Sequence, residues 1–503
     1  MARVSAVSGA GAKKAAVAAH FDACAPRREG FRRRNAVYHH TLEAIVRAHV
    51  PEGKRVLQLG CGTGALLAAA KPSFGVGVDL SAGMLAEARR LHPEPHLAFV
   101  RGDAEALPLG GVFDYVIGCD LIGYLEDIER ALEGLRAVCG PETRVLFSYF
   151  NFTWQPLLAA AEALGLKLPT LDQNWLGRGD IENLFALADY QLEDEGVRLL
   201  SPFSLGPLTS LVNDRLATAP GLRHLALVDY FVARPLPRAP VRPLSVSVVV
   251  PCRNEAGNIA EAVERTPEMG TGTELVFVDG SSTDGTVEEI ERQIALHRGK
   301  RNLRLVHQVP PRDAGAAGTP DDLMLPAGKG DAVRKGFAAA TGDVLMILDA
   351  DLTVPPEELP KFFEAIARGK GRLANGTRLV YPLEDEAMKF FNMIGNRFFS
   401  VVFTWLLGQR IKDTLCGTKV LLREDYQLIA SNRAYFGEFD PFGDFDLLFG
   451  ASHANLPIVE VPVRYRRRSY GSTKVRLVRH GLILLRMSVI GFWKLKVQRW
   501  LGR

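Results

Sequence analysis

A pattern that occurs twice limits what this chain can fold into: an apolar run of strand length that breaks into a short turn before a helical stretch. It runs first from Val56-Leu57-Gln58-Leu59 into Gly60-Cys61-Gly62-Thr63-Gly64, and again from Val246-Ser247-Val248-Val249-Val250 into Pro251-Cys252-Arg253-Asn254-Glu255. Strands alternating with helices imply parallel sheets covered by helices on both faces. Between the two instances lies Ala233-Arg234-Pro235-Leu236-Pro237-Arg238-Ala239-Pro240-Val241-Arg242-Pro243, whose prolines cannot continue a helix or a central strand and favour an extended backbone. At 503 residues the chain exceeds what one hydrophobic core supports. The expected organisation is two α/β domains, 1–234 and 245–475, with a linker at 235–244 and a basic amphipathic extension at 476–503.

The six cysteines, Cys24, Cys61, Cys119, Cys139, Cys252 and Cys416, include no C-x-x-C pair. That argues against a disulfide framework or a zinc site and for reduced thiols in the cytoplasm. The start, Met1 to Lys14, lacks the continuous apolar core of a secretory signal. Neither 398–408 nor 481–493 qualifies as a membrane span, the first being too short and the second interrupted by Arg486. Net charge is only +4 but uneven, because residues 464–503 hold twelve Lys or Arg and no Asp or Glu. Leu482, Ile483, Ile490 and Phe492 alternate there with Arg476, Arg479, Arg486, Lys494, Lys496 and Arg499, and Trp493 and Trp500 suit a headgroup layer. Two readings of this tail stand: a helix on an anionic membrane surface, with the protein peripherally attached, or an amphipathic helix packed on its own domain. No recognition motif accompanies the charge, so nucleic acid is not an expected partner.

In the first domain the glycines after Leu59 let the backbone turn sharply and approach a ligand closely. A second strand, Gly75-Val76-Gly77-Val78, ends in Asp79, placed to accept hydrogen bonds from ribose hydroxyls. A third, Leu97-Ala98-Phe99-Val100, leads to Gly102-Asp103-Ala104, and a fourth begins at Phe113-Asp114-Tyr115-Val116-Ile117. From about Tyr38 to Arg234 this layout resembles the class I S-adenosylmethionine-dependent methyltransferases, a Rossmann-like fold. The resemblance implies that Gly60, Gly62 and Gly64 wrap the methionine portion of S-adenosylmethionine, that Asp79 holds its ribose and that Asp103 lies by the adenine. Gln58 stands where that family usually has an acidic residue. The alternative is a non-catalytic S-adenosylmethionine-binding or scaffold module. Tyr124 is either a substrate-mouth residue or part of the core.

In the second domain the run Val344-Leu345-Met346-Ile347-Leu348 ends in Asp349-Ala350-Asp351. The strand period of two points both carboxylates the same way at the sheet edge, where oxygen ligands suit Mg²⁺ or Mn²⁺. A metal there would neutralise the diphosphate of a departing nucleotide, so glycosyl transfer is the chemistry suggested. Ordered with Pro251-Cys252-Arg253-Asn254-Glu255, Leu275-Val276-Phe277-Val278-Asp279-Gly280-Ser281-Ser282-Thr283-Asp284-Gly285 and Gly328-Lys329-Gly330-Asp331, this resembles family 2 glycosyltransferases of the GT-A fold. The resemblance implies that Pro251, Glu255 and Asp279 line the nucleotide-sugar pocket, and that Asp349 and Asp351 bind nucleotide and metal. Lys329 either reaches a phosphate or is solvated, and Asp284 fits best as a helix cap.

Gly376-Thr377-Arg378, Asp413-Thr414-Leu415-Cys416-Gly417-Thr418-Lys419 and Glu460-Val461-Pro462-Val463-Arg464-Tyr465-Arg466-Arg467-Arg468-Ser469-Tyr470-Gly471-Ser472-Thr473-Lys474 resemble dolichyl-phosphate mannose synthases and related polyprenyl-phosphate glycosyltransferases. That resemblance implies that Arg468 and Lys474 hold the acceptor phosphate. A phosphate monoester is already an anionic nucleophile at neutral pH and needs cationic positioning rather than a base. A hydroxyl acceptor, as in building a surface polysaccharide, needs a carboxylate base, for which Asp444 and Asp446 are the candidates. The leading expectation is inverting transfer from a nucleotide-sugar to a polyprenyl phosphate.

Overall fold

The computed structural model describes residues 11–171, 173–174, 176–308, 328–381, 389–435, 443–466, 468, 470, 477–498 and 500. It divides into two compact units, Met1–Arg238 and Ala239–Arg503.

The first unit is built on β1 (Arg55–Leu59), β2 (Phe74–Asp79), β3 (Leu97–Arg101), β4 (Phe113–Cys119), β5 (Cys139–Phe150), β6 (Tyr190–Arg198) and β7 (Val228–Pro235), in the order β3-β2-β1-β4-β5-β7-β6. The first five run parallel, but β7 is antiparallel to both β5 and β6. The second unit has β8 (Val246–Cys252), β9 (Thr273–Asp279), β10 (Asn302–His307), β11 (Val344–Ile347), β12 (Leu373–Thr377), β13 (Lys419–Leu422) and β14 (Ile458–Pro462), in the order β10-β9-β8-β11-β13-β12-β14. There β13 is antiparallel to both neighbours.

Both sheets are therefore mixed, not parallel as the alternating pattern implies. A short apolar run reports burial but carries no information on strand direction. The proline-rich stretch is also less uniform than its composition suggests. Ala233 and Arg234 belong to β7, and Pro235 closes it opposite Tyr190, at the strand end where its missing N–H removes no interior ladder bond.

Val248, Val249, Leu345 and Met346 are fully buried, since helices cover both faces of the central strands and favour continuous apolar runs. Gly336 lets the helix Lys329–Ala339 sit close on this sheet, because a Cβ there would lie 3.0 Å from a Val278 methyl and closer still to Val249. That close seat puts the helix N-terminus, and Lys329, at the carboxyl edge. In each sheet the chain order reverses beside the first strand, between β1 and β4 and between β8 and β11. Such reversals open a crevice beyond the strands' carboxyl ends.

The basic extension forms the helix Leu477–Gly491 and a π-helical turn, Phe492–Gln498. Leu484, Met487 and Leu495 join the core of the second unit, while Leu485, Val489, Phe492 and Trp493 are exposed. One face packs on its own domain and the other faces outward. Trp405, exposed on the helix Lys389–Leu407, stacks on Phe492 with ring centres 5.7 Å apart. Among the described residues no helix is long and apolar enough to cross a membrane.

Candidate active sites

The crevice of the first unit is a cavity of about 290 Å³. Gly60, Gly62 and Gly64 all adopt left-handed φ angles, of 59°, 52° and 79°. At Gly62 nothing lies within 4 Å of where a Cβ would be, so the bare backbone faces the cavity. Asp79, at the end of β2, fixes this loop: one carboxylate oxygen accepts from the Gly62 amide at 2.8 Å and the other from Ser81 at 2.9 Å. Burial pushes its carboxyl above the ordinary value, against the pull of the two amides. Lone pairs remain for a ligand hydroxyl. Asp103 is engaged elsewhere, by Lys14 at 2.6 Å and the Glu105 amide at 2.9 Å, and the cavity wall there is made by Gly102, Ala104 and Glu105.

Two features of this site escape a motif reading. The helix Ala12–Arg34 is pinned over the loops by polar contacts: Lys14 to Asp103 and Glu105, Asp22 to Ser81 at 2.6 Å, and Glu29 to Thr63 at 2.9 Å. Asp120, just past β4, holds a φ of 55° and lines the cavity, and Tyr38 donates to both its oxygens at 2.8 and 2.7 Å. Burial raises the Asp120 carboxyl above its ordinary value, with Tyr38 opposing. Gln58 is buried in β1, and its amide oxygen has no hydrogen-bond partner among the described residues. Tyr124 lines the cavity.

At the crevice of the second unit, acids and bases alternate. Lys329 contacts Asp349 at 2.5 Å, Arg468 contacts Asp351 at 2.5 Å, Lys419 contacts Asp444 at 3.1 Å, and Arg378 grips Asp413 through two nitrogens at 2.7 and 2.9 Å. Lys329 is thus ion-paired and not a freely solvated side chain. Burial would lower its pKa, but Asp349, Asp444 and Asp351 raise it. Burial likewise pushes the Asp349 carboxyl up, yet Lys329, Lys419 and Arg378 hold it below its ordinary value. Gly417 is packed directly on this pair: a Cβ would fall 2.6 Å from Lys329 Nζ and closer still to Asp349.

Asp349 and Asp351 lie beyond the end of β11, and Leu352 follows them with a φ of 50°, a strained conformation for a bulky residue. Asp351 also accepts from the Thr353 amide and hydroxyl at 3.1 and 2.8 Å. Gly443, at φ 75°, would place a Cβ 2.8 Å from Gly330 Cα, so the helices Lys329–Ala339 and Asp444–His453 bring their N-termini together. Such ends attract anions.

Asp279 accepts from the Ser281 and Ser282 amides at 3.0 and 3.2 Å, and Glu255 accepts from Asn258 at 2.8 Å, so both carboxylates brace the turns that shape the crevice. Pro251 is the penultimate residue of β8, whose C-terminal end opens into this crevice. Asp284 binds the Thr286 hydroxyl at 2.5 Å and the Ala256 amide at 3.3 Å, bracing the first turns of two helices. Lys474 lies outside the described residues. Tyr470 packs on Gly257, where a Cβ would come 2.6 Å from its ring, and Arg466 N donates to Thr353 O at 2.8 Å. Arg466 and Tyr470 therefore lie on either side of the sheet edge, one at the Asp351 turn and the other at the turn after β8. Lys419, fully buried and bonded to Cys416 O at 2.6 Å, is with Arg378 and Asp413 a member of this array to which the motif reading gives no role.

Residues 56–142 match the family model of a methyltransferase domain, and residues 247–317 and 326–426 match that of glycosyl transferase family 2. The chain joins a methyltransferase domain to a family 2 glycosyltransferase domain. It is 38% identical over 128 residues to a dolichol-phosphate mannosyltransferase of Saccharomyces cerevisiae, covering 24% of this chain and 41% of the relative. To an undecaprenyl-phosphate 4-deoxy-4-formamido-L-arabinose transferase of Edwardsiella ictaluri it is 27% identical over 238 residues, 46% of this chain and 64% of the relative. The chain thus spans less than two thirds of the length of either. A solved chain from the Haloferax volcanii complex between the Trm112 methyltransferase activator and a methyltransferase aligns over 44% of this chain and 98% of its own, at 21% identity and a TM-score of 0.35.

Both matched domains are of transferase families. The residues of the methyltransferase cavity fit S-adenosylmethionine: open glycine backbone, apolar walls such as Leu80 and Met84, and the acids Asp79, Glu105 and Asp120 for hydroxyls and positive charge. In the glycosyltransferase domain Asp349 and Asp351 offer oxygen donors of the kind Mg²⁺ or Mn²⁺ prefers, but each is ion-paired, and among the described residues no group of three or more His, Cys, Asp or Glu is arranged to hold a metal ion.

Proposed function

We propose that the glycosyltransferase domain moves a sugar, with inversion, from a nucleotide-sugar to a polyprenyl phosphate. The observation that carries this reading is the Asp351–Arg468 ion pair, which joins two motifs far apart in sequence at one edge of the sheet. Asp349 and Asp351 would hold a divalent cation, which when bound neutralises the leaving diphosphate. Lys329 stays charged beside them and faces the same anion. Arg468, with Lys474, positions the acceptor phosphate, whose oxygen attacks the anomeric carbon without a general base. Asp444 and Asp446 are engaged by Lys419 at 3.1 Å and by Arg433 at 2.8 Å, which favours a positioning role over that of a base for a hydroxyl acceptor. Asp444 acts instead by positioning Lys419 and Lys329. The names of the relatives support the same acceptor class.

The methyltransferase domain, in this reading, transfers a methyl group from S-adenosylmethionine, with Asp120 taking the acceptor's proton and Tyr38 orienting its carboxylate. The protein works at a cytoplasmic membrane face, peripherally attached through the exposed Phe398, Val401, Trp405, Leu485, Val489, Phe492 and Trp493. A direct test incubates the enzyme with Mg²⁺ or Mn²⁺, radiolabelled nucleotide-sugars and polyprenyl phosphate. Label should enter the organic phase, and Asp351→Ala should lower its rate by about 10³-fold without unfolding the protein. Label that appears only in a water-soluble polysaccharide would overturn the acceptor assignment.

A further inference from the structure

Two segments of the methyltransferase domain, 150–166 and 200–227, complete the cavity and also carry an unusual surface. Phe150, Leu158 and Glu162 from the first, and Pro202 and Leu227 from the second, line the cavity. The helix Gln155–Ala163 has six Leu or Ala among its nine residues, yet none is buried. A helix of a soluble domain ordinarily hides its apolar stripe. Here Leu157 and Leu164, seven positions apart, are 62% and 74% exposed. In the second segment Phe203 is 72% and Leu208 57% exposed, and Leu211, Leu216 and Leu225 are exposed as well.

The segments form one surface, since Asn151 donates to His224 O at 3.0 Å and the Trp154 indole to Leu225 O at 2.8 Å. Across both, the charged side chains are Glu162, Asp214, Arg215 and Arg223, and Glu162 is neutralised by Lys167 at 2.5 Å. The border is basic: Arg34 donates to Gly165 O at 3.0 Å, and Arg33 beside it is exposed. Bulky apolar side chains rimmed by arginine complement an anionic headgroup layer over acyl chains.

We infer that this face docks on an anionic lipid surface, and that the methyl acceptor is an amphiphile whose polar head enters the cavity between the two segments while its chain stays in the lipid. The inference rests on the reading of this domain as an S-adenosylmethionine-dependent methyltransferase. In that transfer the acceptor's lone pair bonds to the methyl carbon, the carbon–sulfur bond breaks with its pair left on sulfur, and the acceptor's proton passes to Asp120. A water-soluble acceptor requires no such apolar rim.

The test uses the full chain with vesicles of phosphatidylcholine and phosphatidylglycerol doped with a diazirine-bearing phosphatidylcholine, irradiated and mapped by mass spectrometry. Label is expected in 150–166 and 200–227. The exposed-site variant Phe203→Glu/Leu208→Glu should lose that label while label in the glycosyltransferase domain and S-adenosylmethionine binding by calorimetry are unchanged. Unlabelled segments, label indifferent to the double variant, or light scattering that shows a dimer dispersed by these substitutions would each overturn the docking surface. Labelled segments in a protein that does not bind S-adenosylmethionine would leave the surface standing and remove the methyltransferase reading instead.

Discussion

The two crevices occupy the same topological position, beside the reversal of strand order, yet they are furnished in opposite ways. The methyltransferase crevice is an apolar cavity roofed by a helix, with a few acids held by amides, a tyrosine and Lys14. The glycosyltransferase crevice is a row of ion pairs in which Asp349, Asp351, Asp413 and Asp444 each face a cation. The first arrangement suits a ligand that is itself positive and largely apolar. The second sets four cations against four acids, an arrangement that suits an anionic ligand. Sheet order places a site, and the side chains at the strand ends choose the charge of what it takes.

If the ion pairs are what distinguishes the second crevice, breaking its most buried pair should be the costliest change. Asp444→Ala leaves the fully buried Lys419 without its carboxylate, at an expected cost of about 3–5 kcal/mol. Calorimetry should show the glycosyltransferase transition falling by roughly 10 °C while the methyltransferase transition stays in place. A uniform shift of both would erase the distinction.

Gly417→Ala comes next. The added methyl pushes Asp349 and Lys329 apart, and sugar transfer should fall by about 10²-fold. Binding of S-adenosylmethionine, measured by calorimetry, should not change.

The smallest effect, counted per pH unit, is a pH dependence confined to the methyltransferase domain. Burial, with Arg28 and Arg32 nearby, lowers the His39 pKa from 6.5 to about 3. The unfolded chain therefore binds one more proton than the folded one between those values, so stability falls as pH drops from 6.5 towards 3, by at most about 1.4 kcal/mol for each unit. His39→Gln should flatten that slope in melting curves of the first transition and leave the second alone.

Much of this was legible beforehand for a definite reason. The strands around Val248, Phe277 and Leu345 are covered on both faces and so read as unbroken apolar runs. The carboxylates that follow them mark the sheet edge. What stayed hidden had no periodic signal. The roofing helix Ala12–Arg34 is pinned largely by Lys14, Asp22 and Glu29, so its pattern announces no strong core face. Asp120 gains its setting from Tyr38, which is distant in sequence, and Lys419 opens a short strand whose register alone turns it inward towards Asp444. The reversal of β7 and β13 depends on loop geometry, not on the residues within the strands.

The central claim is a division of labour at the Asp351–Arg468 pair, with the acid serving the donor and the arginine serving the acceptor phosphate. Steady-state kinetics of Arg468→Ala, varying each substrate in turn, tests it directly. The KM for polyprenyl phosphate should rise by about tenfold or more while the KM for the nucleotide-sugar stays unchanged. A rise in the nucleotide-sugar KM with the acceptor KM unaltered would contradict the account.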